Sequence, residues 1–283
     1  MCPLRIINNF EKPDEFVLSR ESNTVSIAPE YSKDEVMRML GGSGENGLSV
    51  RLQRKVEVWM ERVDKVINPR LRFSVRPVAG ISKTGVSLGD GTVWRSPKLA
   101  KAFNSCKRAV VYVGTIGSRI EKEVRKLTER NRLSEAYIVD SLGSVAVENM
   151  IEQFHSQYGS YLKLSRKGIT LPFSPGYCDW HVKEQKKLFS SVAADEIGIT
   201  LNTGGLMTPR KSISGVFGVS DRQGQAIDYN PCSNCAHKGC SYRRASHRPQ
   251  RPTIENLPDR NRKIHEVHRP WKTKMERLAI ISR

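Results

Sequence analysis

The stretch "SEAYIVDSLGSVAVENMIEQFHSQY", residues 134–158, constrains the fold of this chain more than any other. Ala136, Val139, Leu142, Ala146, Met150 and Phe154 recur at helical spacing, so the segment reads as one long helix with a single apolar stripe. Such a stripe has to be covered by other elements. Leu71, Phe73 and Val75 alternate with Arg72, Ser74 and Arg76, the period of a half-exposed strand. "AVVYV" at 109–113 reads as a short buried strand, and "SISGVFGVS" and "QAIDY" read as two more, joined by "DRQGQ".

The remaining elements carry local signals. Ser32 and Glu35 fit a capping box ahead of Val36, Met37 and Leu40, and "GGSGENG" at 41–47 ends that helix. Leu52, Val56, Trp59, Val63 and Ile67 form one face of a longer helix that stops at Asn68-Pro69. The Asp-Gly of "SLGDGTVW" turns a hairpin. Ser96-Pro97 opens a short helix carrying Leu99, Ala102 and Phe103. "GTIGSRIEKEVRKL" turns from strand to helix, but it lacks the Lys-Ser/Thr ending of a phosphate-binding loop and reads as a plain turn. Residues 181–192 read as a helix through Val182, Gln185, Leu188 and Phe189.

Composition narrows the partners. The chain has 283 residues, 38% of them hydrophobic, and a formal charge of +18. No eighteen apolar residues run together, and the N-terminus has no signal-peptide pattern, so a cytoplasmic location is expected. Twelve Lys/Arg against four acids fall between Ser241 and Arg283. That surplus suits a solvated tail or an acidic protein partner; nucleic acid is the weaker reading, because only Tyr242 and Trp271 interleave aromatics.

Cys232, Cys235 and Cys240 stand as C-x2-C-x4-C in "PCSNCAHKGCSYRR". Thiolates converging from one turn suit zinc or an iron–sulfur cluster. The fourth ligand is open among Cys178, His237, His247 and an exogenous group. Cys106, at the end of an apolar helix, reads as a packing cysteine. Of the other polar residues, Asp140 reads as a helix brace, His155 as a satisfied packing histidine and His181 as structural.

The segments "LAKAFNSCKRAVVYVGTIGSRIE", "YIVDSLGSVAVENMIEQFH", "SPGY" and "MTPRKSISG", in that order, resemble the activation (reactivation) domain of cobalamin-dependent methionine synthase. The likeness is nearest to stand-alone activation-domain proteins with a cysteine-rich C-terminus. It covers about residues 96–242. It implies an α+β fold, helices around an antiparallel sheet with a shallow groove. The implied organisation is an N-terminal α+β part (1–95), an activation-domain-like core (96–230), a cysteine knuckle (231–245) and a basic extension (246–283).

The resemblance also implies a function. S-adenosylmethionine binds in the groove and faces the corrinoid of a partner protein, and one electron plus the sulfonium methyl returns Co(II) to methyl-Co(III). Glu148 matches the acid that binds the methionine amino group. Ser174, Gly176 and Tyr177 match the Pro-Gly-Tyr turn that contacts the ligand, with Tyr177, the residue assigned a catalytic place, near the corrin face. The family's turn is preceded by an arginine that holds the ligand carboxylate. Here that position is Pro172, which removes a charge-assisted contact of about 1.5–3 kcal/mol. Lys163, Arg166 and Lys167 are the cations nearby in sequence that could replace it. Otherwise the protein binds S-adenosylmethionine weakly, or uses another methyl donor or none. Cys178 could link the turn to the cysteine knuckle. Two alternatives remain: a non-enzymatic electron-transfer or assembly subunit of a corrinoid methyltransferase, and a zinc-knuckle nucleic-acid binder.

Overall fold

The structure is a computed structural model that describes residues 5–6, 23–41 and 48–221. All of these fall within the first of two compact units, Met1–His247; the second is Arg248–Arg283. The segment "QAIDY" expected as a strand, the cysteines at 232, 235 and 240 and the basic extension lie outside the described residues.

The elements are β1 (Arg5–Ile6), β2 (Asn23–Ser26), α1 (Lys33–Met39), α2 (Val50–Val66), β3 (Arg70–Ile81), β4 (Gly85–Leu88), β5 (Val93–Arg95), α3 (Pro97–Ala102) and β6 (Cys106–Thr115). Then follow α4 (Arg119–Glu129), α5 (Leu133–Leu164), β7 (Gly168–Ile169), a 3-10 turn (Val182–Glu184), α6 (Gln185–Phe189), a second 3-10 turn (Ala194–Ile197), β8 (Thr200–Leu201), β9 (Met207–Thr208) and β10 (Ser212–Ser220). One sheet runs in the order β1-β2-β3-β6-β10-β7, with β4 on β3 and β5 on β4. Every pairing in it is antiparallel. Helices and an antiparallel sheet therefore make an α+β fold, as expected. Strands from before and after residue 95 share this sheet.

Helix α5 is the spine of one side. Its expected stripe, from Ala136 to Phe154, is buried throughout. It packs with α1, α2 and α4 over Leu71, Phe73, Val75, Tyr112 and Phe217. The helix runs on to Leu164, about 48 Å at 1.5 Å per residue. Local signals also hold: Ser32 and Glu35 form a reciprocal capping box, and the Ser96 hydroxyl accepts the Leu99 N–H at 3.0 Å to start α3.

The opposite side of the sheet is covered as well, and this corrects one expectation. Strand β3 is not half-exposed. Ser74 is fully buried and Arg72 nearly so, because the chain from 191 to 197 lies over them. Ser74 donates to the Ser191 carbonyl at 2.6 Å and Arg76 to the same oxygen at 2.7 Å, while Arg72 reaches Glu196 at 2.7 Å. Polar residues on the strand thus serve as ties to a covering loop rather than as a solvated face. This second core gathers Trp94, Leu99, Phe103, Val111, Trp180, Leu188 and Val216.

The helix expected over 181–192 is a second correction. It is broken into a 3-10 turn and the five-residue α6. Of the face read from spacing, Gln185 and Leu188 are buried and Phe189 packs on the same core, while Val182 at the broken start is exposed. Cys106 is buried as expected, although it opens β6 instead of closing a helix; burial pushes its thiol up to about 12.

Candidate functional site

The Pro-Gly-Tyr turn is held from three directions. On its N-terminal side Phe173 exchanges both backbone hydrogen bonds with Val216 of β10, each 2.8 Å. On its C-terminal side Asp179 accepts from the Ser96 hydroxyl at 2.5 Å and from the Lys98 N–H at 3.0 Å, so it caps α3 from across the fold. Trp180 is buried and sits against Trp94, ring centroids 5.8 Å apart.

Between these anchors the backbone closes on itself. The Gly176 N–H donates to Trp180 O at 2.7 Å, Tyr177 N–H to Ser174 O at 3.2 Å and Trp180 N–H to Tyr177 O at 3.1 Å. Gly176 adopts φ +93°, a conformation that a Cβ opposes. Cys178 adopts φ +57° with a side chain, which is uncommon. The anchors therefore hold Tyr177, about half exposed, between two residues of positive φ, with Cys178 exposed beside it.

Helix α5 passes beside the segment that leads into this turn. His155 Nε2 lies 2.7 Å from Thr170 O, and its ring meets Phe217 edge-on at 5.0 Å. It is the satisfied packing histidine expected. One end of the helix is tied to the start of β10: Lys211 Nζ is 2.7 Å from Asp140 and 2.9 Å from Ser144 Oγ, which makes Asp140 a brace as expected. Glu148, Glu152 and His155 share one helical stripe. Glu148 therefore stands about 6 Å along the axis from Ser144 and about 10 Å from His155, level with the first half of β10.

That half of β10 has an edge. Val216 and Gly218 aim their backbone groups at the 168–173 segment, with Thr170 N–H on Gly218 O and Gly218 N–H on Thr170 Oγ1, both 2.9 Å. By the alternation of an antiparallel strand, Ser212 and Ser214 aim their backbone groups the same way. Among the described residues no strand pairs with them there, because the 168–173 segment departs at Phe173 into the turn. Ser214 on this edge is itself buried. Glu148 is half-buried and Ser174 partly buried.

Lys163 lies in the last turn of α5, about 22 Å along the axis from Glu148, and Arg166 and Lys167 follow the helix end, so none is placed to supply the cation that the resemblance expects at Pro172. Sequence reading missed Asp179 and Trp180, which build the turn's frame, and Glu121, which holds the chain ahead of β10. Glu121 Oε1 accepts the backbone N–H groups of both Arg210 and Lys211. No spacing along the chain signals a carboxylate that serves an element ninety residues away. His181 is structural, its Nδ1 accepting the Lys183 N–H at 3.1 Å.

Beside the turn lies an apolar face. Gly176 and Gly205 both abut Val182, the latter within 3.5 Å of its Cγ2 from an added Cβ. Tyr177, Val182 and Leu206 are all exposed there, at 49%, 37% and 57%. Among the described residues no cluster of three or more His, Cys, Asp or Glu could hold a metal ion, and no helix is long and apolar enough to cross a membrane.

No family model matches the chain, and no curated protein matches it in sequence. Among solved structures it is similar to a crystal structure of the MetH reactivation domain bound to AdoHcy, with 13% identity and a TM-score of 0.54. The likeness covers 70% of this chain and 78% of that one, and it establishes a shared fold.

Proposed function

We propose that this protein binds S-adenosylmethionine in a gap flanked by Glu148, the Ser212–Ser214 edge and the Ser174–Tyr177 turn, and serves the reactivation of a corrinoid held by a partner protein. The observation that carries the reading is a rigid glycine turn that leaves the edge of β10 at Phe173, in a fold shared with a domain that binds AdoHcy. Glu148 supplies the anion for the ligand's ammonium. The edge supplies donors and acceptors in a fixed row, and Gly176 lets the backbone approach closely. Tyr177, Val182 and Leu206 offer an apolar face for the partner's macrocycle. The methyl comes from the donor's sulfonium and the electron from a separate reductant; the residues of this chain bind and orient.

The test is equilibrium binding of S-adenosylmethionine to the full chain by calorimetry. Glu148→Ala is expected to lose about tenfold or more, the value of a charged hydrogen bond. Unchanged affinity in that variant overturns the site, and no binding by the native chain overturns the function.

A second reading is favoured by Pro172 and by the cysteines at 232, 235 and 240: an electron-transfer or assembly subunit of a corrinoid methyltransferase. Under it, those three cysteines with Cys178 hold an iron–sulfur cluster beside the turn. Anaerobically purified protein then contains iron and sulfide in near-equal amounts, lost in Cys178→Ser. Zinc alone, indifferent to Cys178, leaves the knuckle structural and reduction to an external donor.

A further inference from the structure

A zwitterionic ligand at this gap needs a cation as well as Glu148, and three features of the structure select one. Lys211 is spoken for: its Nζ sits between Asp140 and Ser144, and its stem lies so close over α5 that a Cβ at Gly143 would stand 3.2 Å from its Cε. Lys163, Arg166 and Lys167 lie at the wrong end of α5. Arg210 is different. Glu121 fixes its backbone N–H and that of the next residue, Pro209 before it is buried, and its own side chain is exposed. That guanidinium has no hydrogen bond or ion pair among the described residues.

Position agrees with availability. Arg210 stands two residues before the Ser212–Ser214 edge and follows the β8–β9 hairpin, whose turn carries Leu206. Its neighbour Lys211 touches α5 one helical turn before Glu148. A backbone pinned on both sides with a free guanidinium is cheap in entropy to engage, because only the side chain remains to be ordered.

Resting on the function proposed above, we infer that Arg210 binds the carboxylate of S-adenosylmethionine, opposite the ammonium at Glu148, and so restores from the other wall the charge that Pro172 lacks. A planar guanidinium can take a carboxylate through two parallel N–H donors, which a lysine cannot.

The experiment compares S-adenosylmethionine with decarboxylated S-adenosylmethionine, which keeps the ammonium and the sulfonium. Binding of each is measured by calorimetry to the native chain, Arg210→Gln, Arg210→Lys and Arg119→Gln, the last removing a neighbouring exposed arginine at the start of α4. Arg210→Gln is expected to weaken S-adenosylmethionine by about ten- to a hundred-fold while leaving the decarboxylated compound at its native affinity, with Arg210→Lys in between. Equal losses for both ligands, no loss for either, or a selective loss in Arg119→Gln instead, overturns the assignment of Arg210 and leaves the binding site standing. A native chain that binds neither ligand overturns the function itself and this inference with it.

Discussion

Gly215 shows how one residue can carry a site it does not touch chemically. A Cβ there would collide with the Tyr112 hydroxyl and stand 2.6 Å from Phe173 O. Both obstacles lie on fixed backbone or in the packed core, so neither moves freely. Gly215→Ala is therefore expected to cost about 1–3 kcal/mol, read as a lowered urea midpoint. It should also push the 168–173 segment away from β10 and weaken S-adenosylmethionine binding in parallel. Phe154 makes the contrasting case. It is buried at the centre of the rings of Phe73, Tyr112, Tyr158 and Phe217, and Phe154→Ala should cost about 3–5 kcal/mol through the cavity left behind, with no selective effect on ligand.

At the scale of elements, the turn depends on a borrowed cap. Asp179 supplements the Ser96 cap of α3, accepting from the Ser96 hydroxyl and the Lys98 N–H, so one carboxylate couples helix start and turn. Asp179→Ala is expected to cost about 1 kcal/mol, in the range of a lost N-cap, and to loosen Tyr177 and Cys178. Faster alkylation of Cys178 in the variant, at unchanged bulk pH, would report that loosening; an unchanged rate would place the turn's rigidity in Trp180 and Phe173 alone. A parallel tie holds α6 to β5. Lys187 donates to Glu184 at 2.7 Å and to Val93 O at 2.9 Å, and the Arg95 N–H donates to Glu184 at 3.1 Å.

At the scale of the whole molecule, the described carboxylates set an acid limb of stability. Partial burial works against Glu184, but the Lys187 and Arg95 hydrogen bonds outweigh it and hold its carboxyl below its ordinary 4.5. Glu135 is lowered chiefly by its hydrogen bond from Arg132, with Trp59 assisting. Both bind a proton more readily unfolded than folded. Their stabilisation is thus complete above the ordinary carboxylate value and is lost as pH falls through the folded values. Denaturant midpoints should decline below about pH 5, and less steeply in Glu184→Gln; an identical slope in that variant would remove Glu184 from the account.

What the sequence by itself determined is what neighbours along the chain decide. The α5 stripe, the capping box at Ser32 and Glu35, the start of α3 at Ser96 and the hairpin at Asp90-Gly91 all rest on residues within a few turns of one another. Glu148 and the Pro-Gly-Tyr turn were legible only as residues that match a family pattern. Tertiary structure decided the rest. Whether Arg72 and Ser74 face water, and which carboxylate supports the Ser96 cap of α3, depend on pairings across 48 to 124 residues. Side-chain period records which face of an element is apolar. It does not record which distant loop lies over the other face, because that contact is made by polar atoms with no period of their own.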